Sequence, residues 1–544
     1  MKTQATAQKP MHRRLMLRWR WPLFTAVVFI AFQLQAIDYG NKINDLPHVR
    51  DFEVTRDMIA GSALERNTIV GAGAGESIDR WMMRFKIYSI EADEHVNIMA
   101  LARIKQGQGQ FDPHFYQYGG AWLYPLGAWY LVLSKLGVVS VAPLTTYLEQ
   151  PDLMDAVYMW GRILVTLAVA GASLLLFAAC RRFTSTTDST LCMMLFLAAP
   201  GTIMFSQVMK PHWYALLWVC AALFILTRCP SGLPWRAKDN WGLGICLGMA
   251  VGSVLTFGLF AVLCWLALLG FVLRLQAPAK TLLSVPAIAL LVYLISNPFA
   301  FLNWPGFVAE ASVVQSWFTH EIRVDSIFYY MKNSLLPNFG VGTVTLILCA
   351  GLYCAISTPR RPIIWLAAAA ACVVILIALL TASIATWHTN TRYLAYLLPS
   401  GILFLCMVPL RGKRVALGLS VVLVLLQSAP LALAYHDENN LRHSTRYLAA
   451  QWIAENIAMG TPFCLGTKTA APYDTPPINF SNYLIGDPSC QFVVAVEREP
   501  DSLEDDAGLE VERRFRPRYS PKQFPLVFSH INPQITIYRR VQIN

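Results

Sequence analysis

Apolar segments of helical length recur along this chain, and most of them run into a cluster of Arg and Lys. Tyr158–Ala179 ends at Arg181 and Arg182, and Trp213–Leu226 leads to Arg228, Arg236 and Lys238. Trp241–Phe257 and Leu259–Leu273 make a hairpin whose far end carries Arg274 and Lys280. Val341–Ile356 ends at Arg360 and Arg361, and Leu394–Leu410 at Arg411, Lys413 and Arg414. Lipid supplies no hydrogen-bond partners, so segments of this kind cross it as helices that satisfy their own backbone. Soluble domains carry about 25% charged residues. Here 14% of 544 residues are charged and 55% are hydrophobic. The pattern specifies a polytopic membrane protein, mainly α, and excludes a soluble enzyme. The net charge of +11 does not point to nucleic acid, because the basic residues sit in short inter-helix loops and no nucleic-acid-binding motif is present.

Basic loops stay in the cytoplasm, which sets the orientation. The N-terminus carries Arg13, Arg14, Arg18 and Arg20 and is placed inside, with Trp21–Ala36 as an uncleaved first span. Leu191–Phe205, Leu282–Ile295, Ile363–Ala382 and Val415–Ala434 complete a count of eleven. Ala121–Leu136 is apolar but rich in Trp, Tyr and Gly, and is read as an interfacial helix. Counting it as a span would put the Arg pairs outside. The expectation is a transmembrane module over 1–435 in the cytoplasmic (inner) membrane, with outer loops at 38–157 and 297–339. Residues 436–544 then form a small extracytoplasmic, or periplasmic, α/β domain. Its helix runs Arg442–Ile457 and stops at Gly460, with strands at Gln491–Val496 and Gln534–Tyr538. Of twelve cysteines, Cys464 and Cys490 lie in this tail and are expected to pair in an oxidising compartment. The others lie in or beside apolar segments and read as small core residues.

The outer loops gather charge. Asp93 and Glu94 open an amphipathic helix that follows the first span. Adjacent residues on a helix point about 100° apart, so the two cannot form the facing pair of a glycoside hydrolase. One can act as a base towards an acceptor while the other binds a divalent cation (Mg, Mn or Ca) or orients a neighbour. A helix N-terminus also favours such a pair through its dipole alone. Cations that could meet a phosphate are Lys210 and His212 at the second outward turn, and His320 and Arg323 in the second loop. Arg162 lies just inside the second span and Arg392 at the mouth of the tenth. Each alone can be an interfacial, snorkelling side chain. His114 can add a metal ligand beside Asp93 and Glu94. The run Gly71–Gly75 lacks the Lys-Ser/Thr of a phosphate loop and reads as a flexible linker.

An ordered series of short motifs resembles the polytopic glycosyltransferases of the GT-C fold, family 39. That group includes protein O-mannosyltransferases and the lipid A aminoarabinose transferase. The series is Asp93-Glu94 with Ala100–Arg103 and Gly107, then Asp112-Pro113, Tyr124-Pro125, Gly161-Arg162, Asn297-Pro298 and Arg392 to Pro399. Thr445-Arg446 and Trp452-Ile453 fit members with a periplasmic domain. The resemblance implies transfer of a sugar from a polyprenyl-phosphate carrier to a lipid, glycan or protein acceptor outside the membrane, with inversion. It makes Asp93 the base or acceptor-orienting carboxylate and the outer cations the contacts of the lipid phosphate. The chain departs from the group in two places. Residues 42–86 lengthen the link to Asp93, and Tyr118-Gly-Gly120 stands where the aminoarabinose enzymes carry a Lys before their Pro, leaving Tyr118 as the residue at the donor position. A transporter of lipid-linked glycans would instead carry charges within its spans and repeated halves. A polysaccharide polymerase or ligase would favour Arg-rich outer loops over an early acidic pair.

Overall fold

The computed structural model describes residues 11–41, 46–55, 78–91, 93–316, 331–357, 391–466, 475–485, 490–497, 508–519 and 531–541, together with Met58 and Phe328. The run Gly71–Gly75, the expected span Ile363–Ala382, and both His320 and Arg323 lie outside the described residues.

Helices α1 (Met11–Leu34), α2 (Ile78–Ile87), α3 (Glu94–Ala102) and α4 (Gly120–Lys135) lead to the long α5 (Pro151–Cys180). Then come α6 (Thr186–Ala198), α7 (Pro200–Ser206), α8 (Leu216–Leu226), α9 (Ala237–Ser253), α10 (Gly258–Leu273) and α11 (Thr281–Ser296). The series ends with α12 (Trp304–Ser316), α13 (Val341–Ser357), α14 (Leu397–Met407), α15 (Lys413–Glu438) and α16 (Thr445–Asn456). Among the described residues three helices are long and apolar enough to cross a membrane: Pro151–Cys180, Leu255–Leu273 and Lys413–Glu438. The expected span Leu191–Phe205 is broken. Pro200 lacks the N–H that would continue the helix, and α6 meets α7 at 60°. Five shorter apolar helices, among them Thr281–Ser296 and Leu397–Met407, accompany them.

The first long polar loop is itself folded. It contributes α2, α3 and α4, and it packs into the core through Met82, Met83, Phe85, Met99, Trp122 and Leu126. The expected interfacial helix is α4. One face is buried on α9 and α5, while Leu131 and Val132 look outward. Gly119 and Gly120 permit that contact, since a Cβ on Gly119 would lie 1.8 Å from the Gly252 carbonyl oxygen and one on Gly120 2.0 Å from that of Ser296.

The tail forms one five-stranded mixed sheet in the order β2-β1-β3-β5-β4, with α16 against it. The strands are β1 (Pro462–Leu465), β2 (Leu484–Ile485), β3 (Phe492–Glu497), β4 (Leu509–Phe515) and β5 (Gln534–Arg540). The end of α15 anchors it: Arg446 pairs with Glu438 at 2.7 Å, and Arg518 with Asp437. The tail also meets the first loop, through His48 Nε2 on the Pro477 carbonyl at 2.6 Å and Trp81 on Phe480. The first loop and the tail therefore share one end of the bundle. Arg414 joins Asp188 at 3.0 Å at the far end of α5, and Arg182 donates to Thr227 there, so these basic residues lie at the other.

Cys464 and Cys490 are disulfide-bonded and close a loop with a sequence separation of 26. Loop-closure entropy for a ring of that length is worth about 3–4 kcal/mol. Cys490→Ser should lower the stability of the tail by about 2–4 kcal/mol, read by limited proteolysis of residues 440–541 in membranes. An unchanged cleavage midpoint would remove the bond from the tail's stability.

Candidate active site

Asp93 is the N-cap of α3 and has φ +69°, a left-handed conformation uncommon for a residue with a side chain. Its carboxylate does not cap the helix. The unusual backbone instead separates it from its neighbour, so Asp93 and Glu94 point into different surroundings. The Asp93 carboxylate lies 3.3 Å from Arg392 Nη1 and 3.4 Å from Lys210 Nζ, with 44% of the side chain exposed. Burial raises its pKa, but Lys210 and Arg392 outweigh that and hold the group well below the ordinary carboxylate range. It is ionised at every physiological pH.

Glu94 is 0% exposed and saturated. Arg162 grips it bidentately at 2.7 and 3.0 Å, the Met209 N–H donates at 2.8 Å, and Ser89 Oγ donates at 2.6 Å. Arg162 also donates to the carbonyls of Ile37 and Tyr39 and lies 3.8 Å over the Tyr39 ring. This corrects two expectations. Glu94 has no oxygen left for substrate or metal, and Arg162 has no face left for a phosphate. The pair is a buried strut beneath Asp93.

The strut delivers Lys210. Met209 is held on both sides by α3, its N–H by Glu94 and its carbonyl by Asn97 Nδ2 at 3.0 Å. Asn97 Oδ1 in turn accepts from Trp122 Nε1 at 2.8 Å. Gly161 lets α5 approach, since a Cβ there would lie 2.2 Å from Met209 Sδ. Lys210 emerges from this clamp between two carboxylates, Asp93 and the buried Glu91, whose Oε1 is also 3.4 Å from Nζ.

Sequence reasoning missed Glu91, Asn97 and Ser89. The spacing Glu91-x-Asp93 was visible, but nothing in it showed that Glu91 turns inward. Burial raises the Glu91 carboxyl from 4.5 to about 7, against the opposing pull of Lys210. The folded state therefore holds this proton more tightly than the unfolded chain. Stability from this group is fully present below pH 4.5 and is lost as pH rises through 7. Glu91→Gln should flatten the fall in thermal stability across that window by about 1–3 kcal/mol. Parallel pH profiles for the two proteins would contradict this. Once ionised, Glu91 competes with Asp93 for Lys210.

Beside Arg392 lies a cavity of about 190 Å³, lined by Tyr118, His212, Arg392, Tyr393, Glu310 and the apolar Val254, Leu255 and Phe307. The ring of Tyr118 meets His212 edge-on at 5.9 Å, and His212 meets Tyr393 at 5.8 Å. The buried Tyr118 hydroxyl and His212 Nδ1 have no hydrogen-bond partner among the described residues. Burial raises the Tyr118 hydroxyl far above its usual range, so it stays a donor. Glu310 holds the wall by accepting the backbone N–H groups of Tyr116 at 2.6 Å and Gln117 at 2.8 Å.

The structure thus brings together Asp93, Lys210 and Arg392, with Tyr118 and His212 next to them. It does not bring His114 to them. His114 lies with Asp112 at 3.4 Å and Asn303, in a separate polar group that Tyr116 completes. A divalent cation on Asp93, Glu94 and His114 does not fit this arrangement: one carboxylate faces two cations, one is saturated, and the imidazole is engaged elsewhere.

No protein-family model matches the chain, and no curated protein matches it. Distant likenesses among solved structures include two oligosaccharyltransferases. One is an oligosaccharyltransferase of Archaeoglobus fulgidus with Zn and sulfate, at 14% identity and TM-score 0.32, over 68% of this chain and 55% of that one. The other is the archaeal oligosaccharyltransferase AglB of Archaeoglobus fulgidus with an inhibitory peptide and a dolichol-phosphate. It shows 13% identity and TM-score 0.37, over 85% of this chain and 65% of that one. The chain spans less than two thirds of the length of either.

Proposed function

We propose that this membrane protein is a GT-C-type glycosyltransferase that moves a sugar from a polyprenyl-phosphate carrier to an acceptor outside the membrane. The observation that carries the reading is the exposed Asp93 carboxylate held between Lys210 and Arg392, at the edge of a cavity with unpartnered donors. The phosphate of the carrier lies against Arg392, with Tyr118 and His212 donating to its oxygens. The prenyl chain leaves past Leu255, Val254 and Phe307, which present apolar surface at that depth. Asp93 faces the anomeric carbon and orients, or takes the proton from, the acceptor hydroxyl or amine. Attack from the side opposite the phosphate inverts the anomeric centre. As the carbon–oxygen bond to phosphate breaks, charge grows on the leaving group, and fixed cations stabilise it more than they stabilise the bound donor. Lys210 bridges Asp93 and Glu91 and so sets how basic the Asp93 carboxylate is. No nucleotide is needed, which agrees with the missing dinucleotide fingerprint.

The reading is tested with the purified full-length chain in nanodiscs, a panel of radiolabelled polyprenyl-phosphate sugars and a cell-envelope acceptor fraction. Label should move to the acceptor with equimolar release of polyprenyl phosphate. No transfer from any donor, with stable binding of a lipid-linked glycan instead, would favour a transporter. Tyr118→Phe should raise KM for the donor about tenfold, the cost of one lost hydrogen bond to a charged group, and leave kcat within about twofold. An unchanged donor KM would remove Tyr118 from the phosphate.

A further inference from the structure

Far from Asp93, three cysteines from three helices meet inside the bundle. Cys180 is the last residue of α5, Cys192 lies in the second turn of α6, and Cys406 lies in the last turn of α14. All three are buried, and their sulphurs lie within 4.8 Å of one another. Cys192 Sγ and Cys406 Sγ are 3.3 Å apart. A buried cysteine is ordinarily a small apolar residue. Convergence of three, with Cys406 joining from 214 residues beyond Cys192, is a different observation.

A cation held by three thiolates at about 2.3 Å in one plane spaces its sulphurs by about 4.0 Å. The triangle brackets that size, with the Cys192–Cys406 edge at 3.3 Å and every edge within 4.8 Å, so a bound cation would open that short edge by about 0.7 Å. No fourth His, Cys, Asp or Glu joins the group among the described residues. Thiolates favour soft cations, zinc and Cu(I) among them; structural zinc takes four protein ligands, and Cu(I) is the one that three thiolates can satisfy. The surroundings suit an anionic complex. Lys413 Nζ donates to the Cys406 carbonyl at 2.9 Å, which sets its ammonium beside the sulphurs. Arg414 pairs with Asp188 next to it. Arg162 and Cys180 are about 27 Å apart along α5, close to the thickness of a bilayer's apolar core, so the cluster is not part of the sugar-transfer site.

We propose that Cys180, Cys192 and Cys406 form a three-thiolate site for Cu(I) that ties α5, α6 and α14 together at the basic end of the bundle. Each thiol releases its proton to solvent as its copper–sulphur bond forms. Three protons leave for one Cu(I), the complex carries two negative charges, and no electron is transferred. Lys413 offsets part of that charge.

The test uses the full-length chain in detergent, reduced under anaerobic conditions, loaded with Cu(I) and dialysed against a Cu(I)-binding dye. One copper per chain should remain, and X-ray absorption should show three sulphur neighbours at about 2.3 Å. The variant C180S/C192S/C406S should hold copper at least a hundredfold more weakly, while Cys349→Ser, an exposed cysteine elsewhere, should match the wild type. Loss of copper by the wild type, equal retention by the triple variant, or nitrogen and oxygen neighbours would overturn the site. Preferential retention of zinc offered alone would overturn the copper assignment. A Cys192–Cys406 disulfide in freshly purified protein would do the same. Should the triple variant fail to fold, the wild-type absorption spectrum decides by itself.

Discussion

Asp93→Asn should lower sugar transfer about a thousandfold or more while the protein still inserts and folds. The amide keeps the size and shape of the side chain. It loses the charge that faces both Lys210 at 3.4 Å and Arg392 at 3.3 Å. Nothing else in the described structure could replace it. Glu91 is buried and half-neutral near pH 7, and Glu94 is bound to Arg162. Asp93 is 44% exposed, but Lys210 and Arg392 are buried, at 6% and 9%, so losing its charge also lowers the unfolding midpoint, with Glu91 left as the partner of Lys210. The loss of transfer should fall on kcat and far exceed what the lower midpoint explains. The check is initial-rate kinetics on nanodisc-embedded protein together with thermal unfolding. Transfer within tenfold of wild type would remove Asp93 from the chemistry.

Arg162→Leu should act the other way, on the fold before the chemistry. Removing one member of a buried ion pair leaves the other charge uncompensated, at a cost of about 3–5 kcal/mol. Glu94 would lose both guanidinium bonds and keep only Met209 and Ser89. The carbonyls of Ile37 and Tyr39 would lose their donor as well. Detergent-extracted yield should fall sharply. The double variant R162L/E94L should recover a large part of the loss, since replacing both members of a buried pair by apolar side chains is close to neutral. Were Arg162 a phosphate contact, the single variant would instead extract normally and show a raised donor KM, and R162L/E94L would be no better.

These two outcomes separate residues that the sequence could not separate. Asp93 and Glu94 are adjacent and of one charge, and only the left-handed backbone at Asp93 assigns them to different surroundings. Arg162 stood in the right place for a phosphate contact, and its burial beneath the site is a tertiary fact. Lys210 and Arg392 were readable because loop cations in a chain this poor in charge need a partner. Their shared partner lies 117 and 299 residues away in sequence, beyond any local period. The membrane class, the tail helix and strands β3 and β5 were legible from hydropathy and alternation. The folded state of the first loop was not, because its polar composition hides a core formed by Met82, Met83, Phe85 and Trp122. The break at Pro200 follows from a missing N–H, but hydropathy alone reads straight through it. The cysteine pair was legible as the two cysteines of the polar tail, whereas the cysteine triad needed three helices to be set in space.

The central claim is that the cavity beside Asp93 takes the phosphate of a prenyl carrier through Arg392. It is tested most directly by native mass spectrometry of the purified protein with polyprenyl phosphate that bears no sugar. One lipid should stay bound to wild type and to Asp93→Asn, and be lost from Arg392→Gln, with polyprenol failing to bind any of the three. Equal retention by Arg392→Gln, or binding of polyprenol as tight as that of its phosphate, would contradict the account.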